Sequence, residues 1–264
     1  MIRRGTGKRV DATSLIKSFD AHAGTYDRMV GSSKGYHQHL RFSARRMGLP
    51  DNGAGLRLLD VGCGTGASTA ALLDVAPEAE VVAVDASGEM LAAARRKTWT
   101  GNVRFLQGDV EDLEGAGVRG PFDGIMAAYL LRNVEDSNAA LRTFYALMRP
   151  GAPLAVHEYS VADSSRSKLV WSAVSWGVII PLAKMRTGDA GLYRYLWRSV
   201  LDFDGVEALA TRMHACGFTD VRHQTMPGWQ QHIVHTFLGR RPEAEEPQPG
   251  DDTPTPPLGL DLPT

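Results

Sequence analysis

Short apolar runs alternate with longer, one-sided apolar stretches along the middle of this 264-residue chain. The short runs read as strands at Leu56–Val61, Val81–Asp85, Val103–Gln107, Phe122–Ala128 and Leu154–Tyr159. Between them, helical spacing predicts helices at Ala67–Val75, at Gly88–Lys97 with Ser87 as its N-cap, and at Ser137–Met148, stopped by Pro150-Gly151. Strict alternation of strand and helix implies a doubly wound, mostly parallel α/β sheet with right-handed crossovers. Before this core, helices are expected at Ala12–Val30 and Lys34–Met47, placed as a cap over the ligand end of the first strand. After Ser160 the pattern changes. Leu169–Met185 is strongly apolar with Pro181 inside it, and further helices fit Tyr193–Leu201 and Val206–Cys216. Val221 to Phe237 reads as two strands around Pro227-Gly228, completing a seven-stranded sheet.

The domain reading is a frayed basic start over residues 1–11, one domain over 12–240, and a Pro-rich acidic tail over 241–264 read as disordered. Within the domain, 12–50 is the helical cap and 161–201 a helical lid inserted after the fifth strand. Net charge is −1, which implies no polyanion affinity, so nucleic acid is not an expected partner. Two separated cysteines, Cys63 and Cys216, fit no metal-spaced cluster and suit a cytoplasmic thiol protein. No metal is expected: His37 and His39 lack a third ligand at a telling spacing.

Chemistry concentrates at Leu58–Gly66, read Leu-Leu-Asp-Val-Gly-Cys-Gly-Thr-Gly. A buried strand ends there in a turn whose backbone must approach a ligand closely, and a helix follows. Gly62, Gly64 and Ala67 also satisfy a dinucleotide fingerprint, with Asp85 lying 23 positions beyond Gly62. Asp60 tips the balance: a carboxylate at the strand end disfavours a pyrophosphate and favours the cationic sulfonium and ammonium of S-adenosylmethionine. On that reading Gly62 and Gly64 let the backbone approach the cofactor without a Cβ clash, Thr65 meets its amino-acid end, and Asp85 accepts both ribose hydroxyls. Asp109 and the Val110 amide meet the adenine, Met90 packs on it, and Ala128 lies on the same rim. Taken alone, Asp109 could instead be a helix N-cap, but its place beside Asp60 and Asp85 favours the ligand; Met90 taken alone is more often core.

The chain resembles the class I S-adenosylmethionine-dependent methyltransferases, with their Rossmann-like sheet. More narrowly, it resembles the ubiquinone/menaquinone biosynthesis C-methyltransferase family. The matching pieces are Ser18-Phe19-Asp20 with Tyr26-Asp27, Leu131-Arg132-Asn133-Val134, Met148-Arg149-Pro150-Gly151, Glu158-Tyr159-Ser160, Tyr193-Arg194-Tyr195-Leu196 and Ala215-Cys216-Gly217-Phe218. The resemblance implies methyl transfer to a ring carbon beside a phenolic hydroxyl of a quinol or related small molecule. It implies that Arg132 stabilises the phenolate, Asn133 orients it and Tyr26 closes over substrate and cofactor. His157 is an added candidate base, from its place near the rim. The chain departs from the family pattern at Ala128 and at Arg198, which keeps an O- or N-methyltransferase of a secondary metabolite open. An oxidoreductase and a silent binding module are the more distant alternatives. The Leu169–Met185 segment suits a groove for a prenyl tail, a peripheral contact with a membrane, or plain cap packing; a homodimer is also left open.

Overall fold

The computed structural model describes Ile16, Lys17, Asp20, Ala21 and residues 34–187 and 190–243. Its seven strands are β1 Arg57–Val61, β2 Glu80–Asp85, β3 Asn102–Gln107, β4 Gly124–Ala128, β5 Pro153–Tyr159, β6 Thr219–Thr225 and β7 Val234–Arg240. They form one sheet in the order β3-β2-β1-β4-β5-β7-β6. The pairs among β1 to β5 are parallel, whereas β7 runs antiparallel to both β5 and β6. That reversal follows from the chain: β6 and β7 are joined by a short connection containing the Pro227-Gly228 turn, and a hairpin cannot be parallel. The order reverses direction at β1 and β4, whose carboxyl ends therefore open the crevice in which such sheets bind ligands.

Alternation along the strands divides the core in two. Leu59, Val61, Val82, Ile125, Ala127 and Val156 point to one face. There they meet Leu141 and Phe144 of α4 (Ser137–Leu147) and Leu209 and Met213 of α8 (Val206–Ala215). Leu58, Val81, Met126 and Ala155 point to the other face. They are covered by Leu40, Ala44 and Met47 of α1 (Lys34–Arg46) and by Ala71 and Leu72 of α2 (Ala67–Val75). The remaining sheet-flanking helix is α3 (Gly88–Arg95), capped by the Ser87 hydroxyl accepting from the Met90 amide.

α1 departs from the expectation of a cap. Its apolar positions Tyr36, Leu40, Ala44 and Met47 form a stripe at helical spacing, and burying that stripe lays the helix on the sheet beside α2. Only Tyr36, in its first turn, reaches the ligand end. The first expected helix, Ala12–Val30, lies mostly outside the described residues, as do the start of the chain and most of the tail.

The insertion after β5 is helical. α5 (Ser165–Val174) runs into a π-helical turn, Ser175–Ile179, and on into α6 (Ile180–Thr187); α7 (Gly191–Asp202) follows. Pro181 has no N–H to donate, and the helix just before it is wound wide, with the Ile180 amide donating to the Ser175 carbonyl.

Candidate active site

A cavity of about 310 Å³ lies at the carboxyl ends of β1, β2 and β4 and is roofed by the insertion. Its lining includes Gly62, Gly64, Thr65, Asp85, Met90, Asp109, Val110 and Ala128, all expected on the cofactor side, and Arg132 and Asn133, expected on the reacting side. Residues from four separate stretches of sequence thus meet in one space.

The glycine turn is pinned from below. The Gly62 and Cys63 amides donate to the Val84 carbonyl at 2.8 and 3.0 Å. Gly66 has φ +89°, and a Cβ there would sit 2.5 Å from the Trp99 ring, so only glycine lets this turn close. Gly64 is different: a Cβ would meet no protein atom within 4 Å, and the residue borders the cavity. The space above it is left open for a ligand rather than filled by side chains.

Asp85 ties this turn to the next. One of its oxygens accepts from the Gly64 amide at 2.7 Å and the other from the Ser87 amide at 2.9 Å. Burial pushes its pKa up, against the pull of those two amides. Each carboxylate oxygen keeps a second lone pair, which is what two vicinal ribose hydroxyls require. Asp109 caps the short turn Val110–Asp112 by accepting from the Glu111 amide, and it lines the cavity.

Two expected site residues are placed elsewhere, for the same reason. Asp60 shares a face of β1 with Leu58, and that face is covered by α2. Its carboxylate is fully buried, accepts from Ser68 and Thr69 at 2.8 and 2.6 Å, and does not line the cavity. Burial raises its pKa to about 6. Asp60 therefore anchors the helix that follows the glycine turn instead of meeting the ligand directly. His157 shares a face of β5 with Ala155 and is likewise buried, beneath α1. Its Nδ1 bonds Ser43 Oγ at 2.8 Å and its Nε2 bonds Tyr129 Oη at 2.9 Å. Burial pulls its pKa to about 3, so at neutral pH it is an uncharged core group rather than a base at the rim. Tyr26 lies outside the described residues.

Arg132 follows β4 in a short turn, Leu131–Asn133. Its guanidinium is ion-paired to Glu158, which is completely buried, and lies 5.3 and 5.4 Å from the ring centres of Tyr129 and Tyr159. A cation clamped between two rings and a carboxylate holds one orientation. Asn133 lines the cavity, and its amide bridges two neighbours: Nδ2 donates to the Tyr129 carbonyl at 3.0 Å, and Oδ1 accepts from Tyr195 at 3.1 Å.

The far end of the cavity is aromatic and apolar, with Tyr36, Tyr129, Tyr159, Trp171, Tyr193 and Leu196 in its wall. Tyr36 stacks on Tyr129 at 5.6 Å, and Tyr159 meets Trp171 at 4.7 Å. Sequence reasoning offered the segment holding Trp171 as a groove wall and listed Tyr159, Tyr193 and Leu196 among the matching pieces, but it singled out neither Tyr36 and Tyr129 nor Glu158 as the partner of Arg132. Tyr129 carried a usable signal, because it directly follows the carboxyl end of β4.

A model of the ubiE/COQ5 methyltransferase family matches residues 8–236. This chain belongs to that family. The family's methyl donor is S-adenosylmethionine, and the open space over Gly64 beside Asp85, Met90 and Asp109 fits it. A Pseudomonas paraeruginosa ubiquinone/menaquinone biosynthesis C-methyltransferase is 33% identical over 238 residues, covering 88% of this chain and 90% of that one. A Thermus thermophilus demethylmenaquinone methyltransferase is 36% identical over 189 residues, covering 71% and 84%. The fold is shared more widely. The [4+2]-cyclase SpnF superposes with a TM-score of 0.66 at 16% identity, covering 92% of this chain and all of that one. A Haemonchus contortus phosphoethanolamine N-methyltransferase superposes at 0.63 and 17%, covering 89% and 60%.

Proposed function

We propose that this methyltransferase C-methylates a quinol or a related phenolic ring. The observation that carries the proposal is the fixed Arg132 guanidinium in the wall of a mainly aromatic and apolar compartment, next to the glycine turn. The names of the relatives that this chain matches along most of its length support the same reading. S-adenosylmethionine supplies an electrophilic methyl group on sulfur. Gly64 and Asp85 hold the donor, and the rings of Tyr36, Tyr129 and Tyr159 present flat surfaces to an aromatic acceptor. Arg132 has no base function at any ordinary pH. Its positive charge favours the ionised phenol, which pushes electron density onto the neighbouring ring carbon that attacks the methyl. Asn133 acts as a clamp that keeps the Tyr129 backbone and Tyr195 in place around that compartment. Incubation with isotopically labelled S-adenosylmethionine and a reduced benzoquinol or naphthoquinol is expected to put label on a ring carbon. Label on oxygen or nitrogen instead would replace this reading with the O- or N-methyltransferase one.

A peripheral membrane contact has its own support. No helix among the described residues is long and apolar enough to cross a membrane. Yet the outer side of the insertion exposes Leu169 (70%), Trp176 (51%), Val178 (58%) and Met185 (83%). Its inner side, with Trp171 and Ile179, lines the cavity. No Asp or Glu occurs between Ser164 and Thr187, whereas Arg166, Lys168 and Lys184 do. An apolar face flanked by cations alone complements an anionic lipid surface, and an acceptor with an isoprenoid tail would then enter from that surface. The protein is expected to float with vesicles containing phosphatidylglycerol, and Trp176→Glu with Val178→Glu is expected to leave it in the aqueous fraction. Equal flotation of wild type and variant would refute the contact.

A further inference from the structure

Ser175 sits on the π-helical turn of the insertion, and it forms part of the cavity wall at the aromatic end. It is 1% exposed. Its backbone is fully employed: the N–H donates to the Ser172 and Trp171 carbonyls, and the carbonyl accepts from the Ile180 amide. Its hydroxyl has no hydrogen-bond partner among the described residues. Other serines of the insertion are used. Ser164 Oγ accepts from the Ser167 amide, and Ser172 Oγ accepts from Trp197 Nε1 at 3.1 Å. Asp60 Oδ1, His39 Nδ1 and His235 Nδ1 are also buried without a hydrogen-bond partner, but they belong to residues that do not line the cavity.

A buried hydroxyl without a partner is costly, and an alanine would fill the same space without that cost. The π-helical turn adds a residue to the helix and so changes which side chain faces inward, a distortion that recurs at functional sites. We infer that the Ser175 hydroxyl hydrogen-bonds an oxygen of the methyl acceptor, and so selects acceptors that carry an oxygen substituent on the ring. The inference rests on the phenolic acceptor proposed above. The hydroxyl hydrogen turns freely, and a change of one χ1 well re-aims the oxygen, so either a hydroxyl or a carbonyl of the acceptor can be met. Arg132 supports the charge that develops during the reaction, while Ser175 holds the acceptor's register in both ground and transition states. Its loss should therefore appear in KM rather than in kcat.

The test is Ser175→Ala, assayed with a short-chain quinol kept reduced. KM for the quinol is expected to rise about tenfold with kcat within about twofold of wild type. S-adenosylhomocysteine affinity, measured by calorimetry, is expected to be unchanged. The melting temperature is expected to stay the same or rise, because no hydrogen bond of the folded protein is removed. A lower melting temperature would show that the hydroxyl has a structural partner and would overturn the inference, as would an unchanged KM. A wild-type protein that methylates no phenolic acceptor would overturn both this inference and the proposed function. An active wild type with an indifferent variant would overturn this inference alone.

Discussion

Arg132→Ala is expected to lower turnover of a quinol acceptor by about 100- to 1,000-fold, the usual loss when one preorganised group facing a developing oxyanion is removed. S-adenosylhomocysteine affinity, read by calorimetry, should be unaffected. The variant will also be less stable. Glu158 is fully buried, and its carboxylate is balanced by the Arg132 guanidinium and the Tyr159 amide. Breaking a buried pair on one side costs about 3–5 kcal/mol, because the surviving charge is stranded. The pH dependence gives this part its own signature. Burial already raises the Glu158 pKa, against the pull of Arg132. A carboxyl whose folded pKa is raised favours folding while protonated, and the protein loses stability as pH rises from the ordinary carboxylate range through the folded value. Without Arg132 the folded value moves further up, so the variant should lose more stability than wild type as pH rises above the ordinary carboxylate range. Arg132→Met combined with Glu158→Gln should restore much of the stability and none of the turnover. Recovery of activity in that double variant would show that Arg132 acts only by keeping the fold intact.

Asp85→Ala is expected to weaken S-adenosylmethionine binding by at least about 100-fold, combining loss of two charge-assisted hydrogen bonds with loosening of the turn. The loosening follows from geometry: the Gly64 and Ser87 amides both donate to this carboxylate, so its removal frees the glycine turn and the start of α3 together. Asp85→Asn retains one acceptor oxygen and should fall between. Because burial holds the Asp85 pKa above its ordinary range, cofactor affinity should also decline as pH is lowered into that range, and the decline should be absent in Asp85→Asn. Unchanged affinity in Asp85→Ala, measured by calorimetry, would remove the ribose assignment.

Much of this architecture can be read from local pattern. Ala67–Val75 is helical over the span that its spacing predicts, and Ser87 caps the helix that follows it. The strand positions match to within one residue at each end of β1, β2, β3 and β5. Phe122 instead makes only an isolated bridge, to Met148, before β4 begins at Gly124. Gly64, Asp85 and Asp109 were legible as residues of the cavity wall because strand ends and glycine turns announce themselves over a few positions. Asp60 and His157 were misplaced because being near a rim says nothing about which face of a strand a side chain occupies. The helices laid over that face decided it.

The sequence by itself determined the order and type of the elements, the glycine corner and the family. Hydrophobic period and turn chemistry act between residues close in the chain, so they survive as pattern. Only the tertiary structure decided that Glu158 faces Arg132, that α1 lies on the sheet instead of over the cavity, and that five aromatic rings from β4, β5, α1, α5 and α7 or their flanks enclose one compartment. Those outcomes depend on which faces are buried against each other and on the side of the sheet to which each crossover returns. These are global choices of packing that no short stretch of residues records.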